Sequence, residues 1–126
     1  MRTWPAVVVG LLILSLTGAA NAQTRVVTGQ AGVLAEWDLT ATVTEASGGN
    51  WSGPLSMKHI GFCSSDGPEE KTGRLSLTLS EPAREVTATM TIEGDTCTFH
   101  APFADGYDGV MHCPGRRDIP MMLMIR

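Results

Sequence analysis

The sequence predicts an all-β fold: an antiparallel up-and-down meander of about seven or eight strands closing into a small barrel, with a two-sheet sandwich as the alternative. Three observations predict it. Apolar residues recur with period two in segment after segment, the pattern of half-buried strands. Turn residues separate these segments at short intervals. No segment keeps helical periodicity over three turns. At 126 residues the chain holds one domain's worth of core.

The opening segment reads as a leader. Arg2 supplies a positive start, Val7 to Leu14 an apolar run, and Ala20-Asn21-Ala22 the small residues that a signal peptidase reads. The expected organisation is a signal peptide over 1–22 and a single β-barrel domain over 23–126. The apolar run is shorter than the roughly 20 residues needed to cross a bilayer, so no membrane anchor is expected after signal removal. No cysteine lies near the cut, which excludes a lipid-modified start. The expected location is periplasmic or secreted. The chain carries a net charge of −4, or −5 once Arg2 is lost. It therefore lacks the basic stripe that nucleic acid requires, and no nucleic-acid partner is expected. Aromatic residues make up only 6% of the chain, which argues against a large aromatic binding platform.

Each strand follows from its alternation. Arg25 to Thr28 offers a short first strand. The first long run sets Val33, Ala35, Trp37, Leu39, Ala41 and Val43 on one face and Glu36, Asp38, Thr40, Thr42 and Thr44 on the other. Ala46 to Asn50 is a turn. The second run places Leu55, Met57, His59, Gly61 and Cys63 on one side. Leu75, Leu77 and Leu79 define the third, and Val86, Ala88, Met90 and Ile92, interleaved with threonines, the fourth. Gly94-Asp95 reads as a two-residue hairpin loop. The fifth strand shows Cys97, Phe99, Ala101 and Phe103 on one face, and the sixth Tyr107, Gly109, Met111 and Cys113. Ile119 to Arg126 is apolar on both faces, which implies that both are covered or that the segment self-associates.

These registers constrain one another. A Gly94-Asp95 loop pairs Ile92 with Cys97 and Met90 with Phe99. A loop at Ala104-Asp105-Gly106 pairs Cys97 with Cys113, Phe99 with Met111 and Phe103 with Tyr107. The turn at Pro82 pairs Leu79 with Val86 and Leu77 with Ala88. A slip of one residue would turn each inner set outward, so agreement across three turns favours the meander. The interior stock of Leu, Met, Ala and Val suggests a filled core, since about eight strands leave room only for side chains.

In an exported chain the three cysteines should give one disulfide and one remaining thiol. Cys97 with Cys113 is the first expectation, as a narrow cross-strand pair, and Cys63 with Cys113 the second. The remaining thiol has no basic flank, the condition of an inert buried cysteine. No C-x-x-C spacing points to zinc.

Candidate site residues are few. His59, beside Met57 and by register Trp37, could serve as a polar group in a small-molecule pocket; a core histidine with its hydrogen bonds satisfied is the plainer account. Four strand residues separate His59 from Cys63 by roughly 13 Å, too far for a thiol–imidazole pair. Trp51, Phe103 and Tyr107 fall at the end opposite the cysteines, where they either rim a ligand mouth or plug it. With Trp37 and His59 they complete the candidate pocket set. Asp66, Glu69, Glu70 and Lys71, on the longest polar connection, form a candidate contact loop.

His100 and His112 point outward on neighbouring strands, roughly 7–8 Å apart, where a metal would need a third ligand. Solvated surface histidines are the plainer account. Asp105 to Gly109 lacks the alternating oxygens and closing Glu of a calcium loop and reads as a hairpin. Asn50-Trp51-Ser52 matches a glycosylation acceptor. There is no Ser-His-Asp set, phosphate loop or dinucleotide fingerprint, and no metal or cofactor is expected.

Trp37-Asp38-Leu39-Thr40 on an early strand and the late Gly109-Val110-Met111-His112-Cys113-Pro114 resemble the pattern of small uncharacterised secreted bacterial β-proteins. In outline the chain is also similar to the periplasmic protease- and lysozyme-inhibitor barrels, which are short, exported and stapled by one disulfide. The likeness is architectural, and no functional residue is carried over from it. The functional expectation is an exported, non-enzymatic binding module for a small apolar ligand or an envelope protein partner. An inhibitor of an envelope hydrolase, protease or lysozyme, is the alternative. A small hydrolytic or redox enzyme relying on His59 or a free cysteine is the third reading.

Overall fold

The structure, a computed structural model, describes residues 3, 23–60, 69–80 and 84–126. The expected leader (Thr3 apart), Cys63 and Asp66 lie outside the described residues. Eight strands follow one another: β1 (Thr24–Ala31), β2 (Trp37–Ser47), β3 (Asn50–His59), β4 (Glu70–Leu79), β5 (Glu85–Ile92), β6 (Asp95–Pro102), β7 (Tyr107–His112) and β8 (Ile119–Ile125). Each pairs antiparallel with its sequence neighbour, and β8 returns to β1, matching Val27 with Ile125 and Ala31 with Met121. The sheet is a closed up-and-down barrel, and the sandwich does not form.

Alternation explains why closure works. One set of positions on every strand faces inward: Val27, Leu39, Val43, Leu75, Val86, Met90, Phe99, Met121 and Leu123 are all buried. The other set, largely threonine and serine on β2 to β6, faces water. Among the described residues, no polar or charged side chain is buried. Burying one such aliphatic or aromatic side chain is worth about 1.5–3 kcal/mol. The ion pairs Lys71–Glu69, His100–Glu85, His112–Asp118 and Arg116–Asp95 are solvent-exposed in whole or part and contribute about 0–1 kcal/mol each. The core holds the barrel.

Two turns keep the expected register. Leu79 faces Val86 and Leu77 faces Ala88. Phe99 faces Met111, Phe103 bridges to Tyr107, and Cys97 is bonded to Cys113 with Cα atoms 4.3 Å apart. That spacing suits a narrow, non-hydrogen-bonded antiparallel pair.

Elsewhere the expectations need correction. The β5–β6 loop is Glu93-Gly94, not Gly94-Asp95, so Met90 faces Cys97 and Ala88 faces Phe99. Both loop residues have positive φ, 50° and 86°, as a type I′ hairpin demands. The shift is two residues, so the inward faces survive it. The first long run does not start at Val33. There β1 already extends to Ala31, and a turn follows in which Ala35 takes a φ of 50° and Val33 and Leu34 are exposed. Phe103 lies past the end of β6 and is 55% exposed rather than on the inner face. Finally, β8 is not covered on both faces within the chain: Met121 and Leu123 are buried, whereas Met122 is 38% exposed.

The β2–β3 ladder opens where Thr42 and Val43 pass Gly53 and Pro54. Pro54 has no N–H to donate, and a Cβ on inward-facing Gly53 would collide with the Thr42 carbonyl. Gly53 thus lets two backbones approach at a bend of the barrel wall. Gly53→Ala is expected to lower stability by about 1–3 kcal/mol through this overlap, read as a lower urea midpoint with native-like far-UV circular dichroism.

Candidate functional site

The barrel has two unlike ends. The connections β1–β2, β3–β4, β5–β6 and β7–β8 gather at one, with the disulfide; β2–β3, β4–β5 and β6–β7 gather at the other. The sequence-derived pocket residues divide between them. Trp37 opens β2 and His59 closes β3, and their register pairing sets the rings 4.7 Å apart at the disulfide end. Trp51, Phe103 and Tyr107 sit at the opposite end and do not share a site with them.

A recess of about 170 Å³ opens at the disulfide end. Met57 and Met111 line it from opposite walls together with the Cys97–Cys113 bond, and Ala31, Ile92, Ile119 and Trp37 complete its apolar part. Four charged side chains border it: Lys71, Glu93, Asp95 and Arg116. The Lys71 ammonium lies 5.2 Å from the centre of the Trp37 ring and 3.9 Å from the Glu69 carboxylate. Arg116 donates from Nη2 to Asp95 Oδ2 at 3.0 Å. Two cations and two anions leave the rim close to neutral, so shape and apolar contact dominate over charge.

The expected contact loop is split by strand parity. Lys71 shares the inward parity of Gly73, Leu75 and Leu77 and turns into the recess. Glu70 points to the outer wall and accepts from Ser56 Oγ at 2.9 Å. The exposed Glu69 accepts the His59 N–H through its carbonyl at 2.8 Å. Arg116, Glu93 and Ile119 were not among the sequence candidates. Arg116 lies on the β7–β8 connection, where no periodicity reports position. Lys71, named as part of the contact loop, lies on the inward alternation of β4 four residues before Leu75.

The opposite end is plugged. Trp51 and Tyr107 are 4% and 5% exposed. The Arg25 guanidinium stacks over Trp51 at 4.9 Å, and Phe103 packs 5.3 Å from Tyr107 on the outside. Burial raises the Tyr107 pKa above its ordinary value of 10.0, and the Arg25 charge partly opposes this by favouring the phenolate.

His112 and His100 stand on the outer wall. His112 Nδ1 lies 2.6 Å from Asp118 Oδ1, and His100 Nε2 3.7 Å from Glu85. Among the described residues, no three His, Cys, Asp or Glu side chains converge as a metal site. Asn50 is exposed, and its side-chain oxygen accepts from Thr78 Oγ1 at 2.8 Å.

Comparison of the chain with protein-family models, with curated proteins and with solved structures found no match.

Two predictions follow from these ends. Replacing Cys97 and Cys113 together by Ala should lower stability by about 3 kcal/mol, since the bond closes a loop with a sequence separation of 16; urea titration measures it. Tyr107 is the sole tyrosine, so ultraviolet titration of phenolate reads it alone. Its native midpoint should lie above 10.0, fall back to about 10 in urea, and rise further in Arg25→Met. The folded state favours the neutral phenol, so this contribution to stability is intact below pH 10 and fades as pH climbs through the native midpoint.

Proposed function

We propose that the chain is an exported, non-enzymatic binding module whose mouth recess takes a small apolar ligand. The reading is carried by one observation: the interior is packed with buried apolar side chains, yet about 170 Å³ stays open beside Met57, Met111, Ile92, Ile119 and Trp37. An engineered apolar cavity of about 150 Å³ admits benzene, so the matching group is one aromatic ring or a short branched aliphatic chain. The balanced rim favours a ligand without net charge, and the donors of Lys71 and Arg116 suit a single polar substituent. A side chain offered by an envelope protein would meet the same chemistry.

The disulfide accords with an oxidising compartment, and with the leader read over 1–22 it supports a periplasmic or secreted location. A binding role also suits the chemistry near the recess. His59 packs tilted against Trp37, and Cys97 and Cys113 are joined to each other, so neither cysteine offers a thiolate.

Titration with indole and with toluene, followed by methyl and indole NMR, tests the reading. The Met57 and Met111 methyls and the Trp37 indole should shift together and saturate, and Ile119→Trp, which fills the recess, should abolish the response. No saturable shift with either probe, or an undiminished response in Ile119→Trp, would sink it.

A further inference from the structure

The outer wall of the barrel is divided. From β2 to β6 its outward positions are mostly threonine, serine and charged residues, with Thr87, Thr89 and Thr91 on β5 facing His100, Thr98 and Thr96 on β6. Along β8 the outward positions are instead Pro120, Met122 and Met124, with Val110 beside Pro120 on β7 and Val26 diagonal to Met124 on β1, and Asp108, Gln30 and Thr28 border the row. The turn after β1 extends this stripe. Gly32 N–H donates to the Pro120 carbonyl at 2.9 Å, which ties the start of the turn carrying Val33 and Leu34 to the Pro120 end of β8. Five of the seven exposed large hydrophobic residues, Val26, Val33, Leu34, Val110 and Met122, lie on this stripe, among the described residues. Scattered surface hydrophobics need no explanation, but a contiguous row marks an interaction surface.

Hydrogen bonds tie down the Val33–Leu34 turn. Ala35 N–H donates to the Gly32 carbonyl at 3.1 Å and Leu34 N–H to the Glu36 carboxylate at 2.9 Å. The Glu36 carbonyl in turn accepts from Ile60 N–H at 2.7 Å. Two branched side chains, 84% and 79% exposed, are therefore presented in a fixed conformation, which lowers the entropy lost on docking.

We propose that this wall is a homodimer interface and that its occupant is the same wall of a second copy. Charge placement selects that occupant. Asp108 flanks Met122 on β7, and Arg126 is the next outward position after Met124, just past the end of β8. Asp108 and Arg126 thus sit on opposite sides of Met124. A two-fold axis over Met124 brings Arg126 of each copy to Asp108 of the partner subunit, an isologous and closed arrangement. A lipid surface fits less well. The stripe has no Trp or Tyr belt and is flanked by the carboxylates of Asp108 and Asp38, which anionic headgroups repel.

Size sets the strength. Three strands about 4.8 Å apart, followed along β8 for about 20 Å, give a footprint of roughly 300 Å². A standard stable interface needs about 800 Å² per partner. The apolar stripe is then the centre of the contact, the polar positions around it form the rim, and the dimer is a weak, concentration-dependent one. The wall lies outside the barrel and leaves the mouth recess clear, so this inference does not depend on the recess binding a ligand.

Sedimentation velocity of the exported, purified protein over a range of concentrations tests it. The wild type should pass from monomer to dimer, and Met122→Glu should weaken association by roughly tenfold or more, as loss of a central contact does. Asp108→Arg and Arg126→Asp should each weaken it, and the two combined should restore it. Far-UV circular dichroism and the urea midpoint confirm that each variant folds. Oxidation of Met124→Cys should link two copies through position 124, identified by peptide mapping. A monomer at every concentration overturns the proposal, as does a dimer indifferent to Met122→Glu or a charge swap that fails to restore association.

Discussion

Pairing between β1 and β8 is the constraint on which the rest of the molecule depends. A meander of eight strands joined by seven sequential pairings could remain an open sheet with two raw edges. The eighth pairing, Val27 with Ile125 through Ala31 with Met121, removes both. Closure in turn forces every strand to commit one face to an interior of fixed width, so the inward positions of β1 to β8 must together fill a single space. They do so with Leu, Val, Met, Ala and one central Phe99, and no ionised group shares the buried interior among the described residues.

Closure also decides where function can lie. A barrel of this size is filled by its own side chains, so the interior can be reached only from its ends. Trp51 and Tyr107 occupy one end. At the other, small Ala31 and flexible Met57 and Met111 leave space beneath a rim of charged residues. Methionine adapts to irregular gaps without strain, so the floor of this recess can adjust to ligand shape more readily than one built from Val and Ile.

Much of the fold was legible in the sequence because a period-two pattern carries its own check. A wrong register by one residue would have exposed Phe99 or buried Thr98. A wrong register by two, as between β5 and β6, leaves every face unchanged and therefore invisible to the pattern. Only the positive φ of Glu93 and Gly94 locates that turn. The start of β2 was misread for a related reason: Val33 and Ala35 continue the alternation into a turn where it has no structural meaning. The cystine was legible because opposing positions follow directly from the β6–β7 loop. The recess was less so. Trp37 and its contact with His59 followed from strand register, but Arg116 comes from an aperiodic connection, and whether aromatic residues plug an end or rim it depends on side-chain packing that alternation does not encode.

The first strand begins and the last strand ends side by side at the plugged pole, where Val26 and Arg126 exchange backbone hydrogen bonds of 3.3 and 2.9 Å. A graft, label or surface tether placed at that pole would leave the opposite mouth turned toward its surroundings.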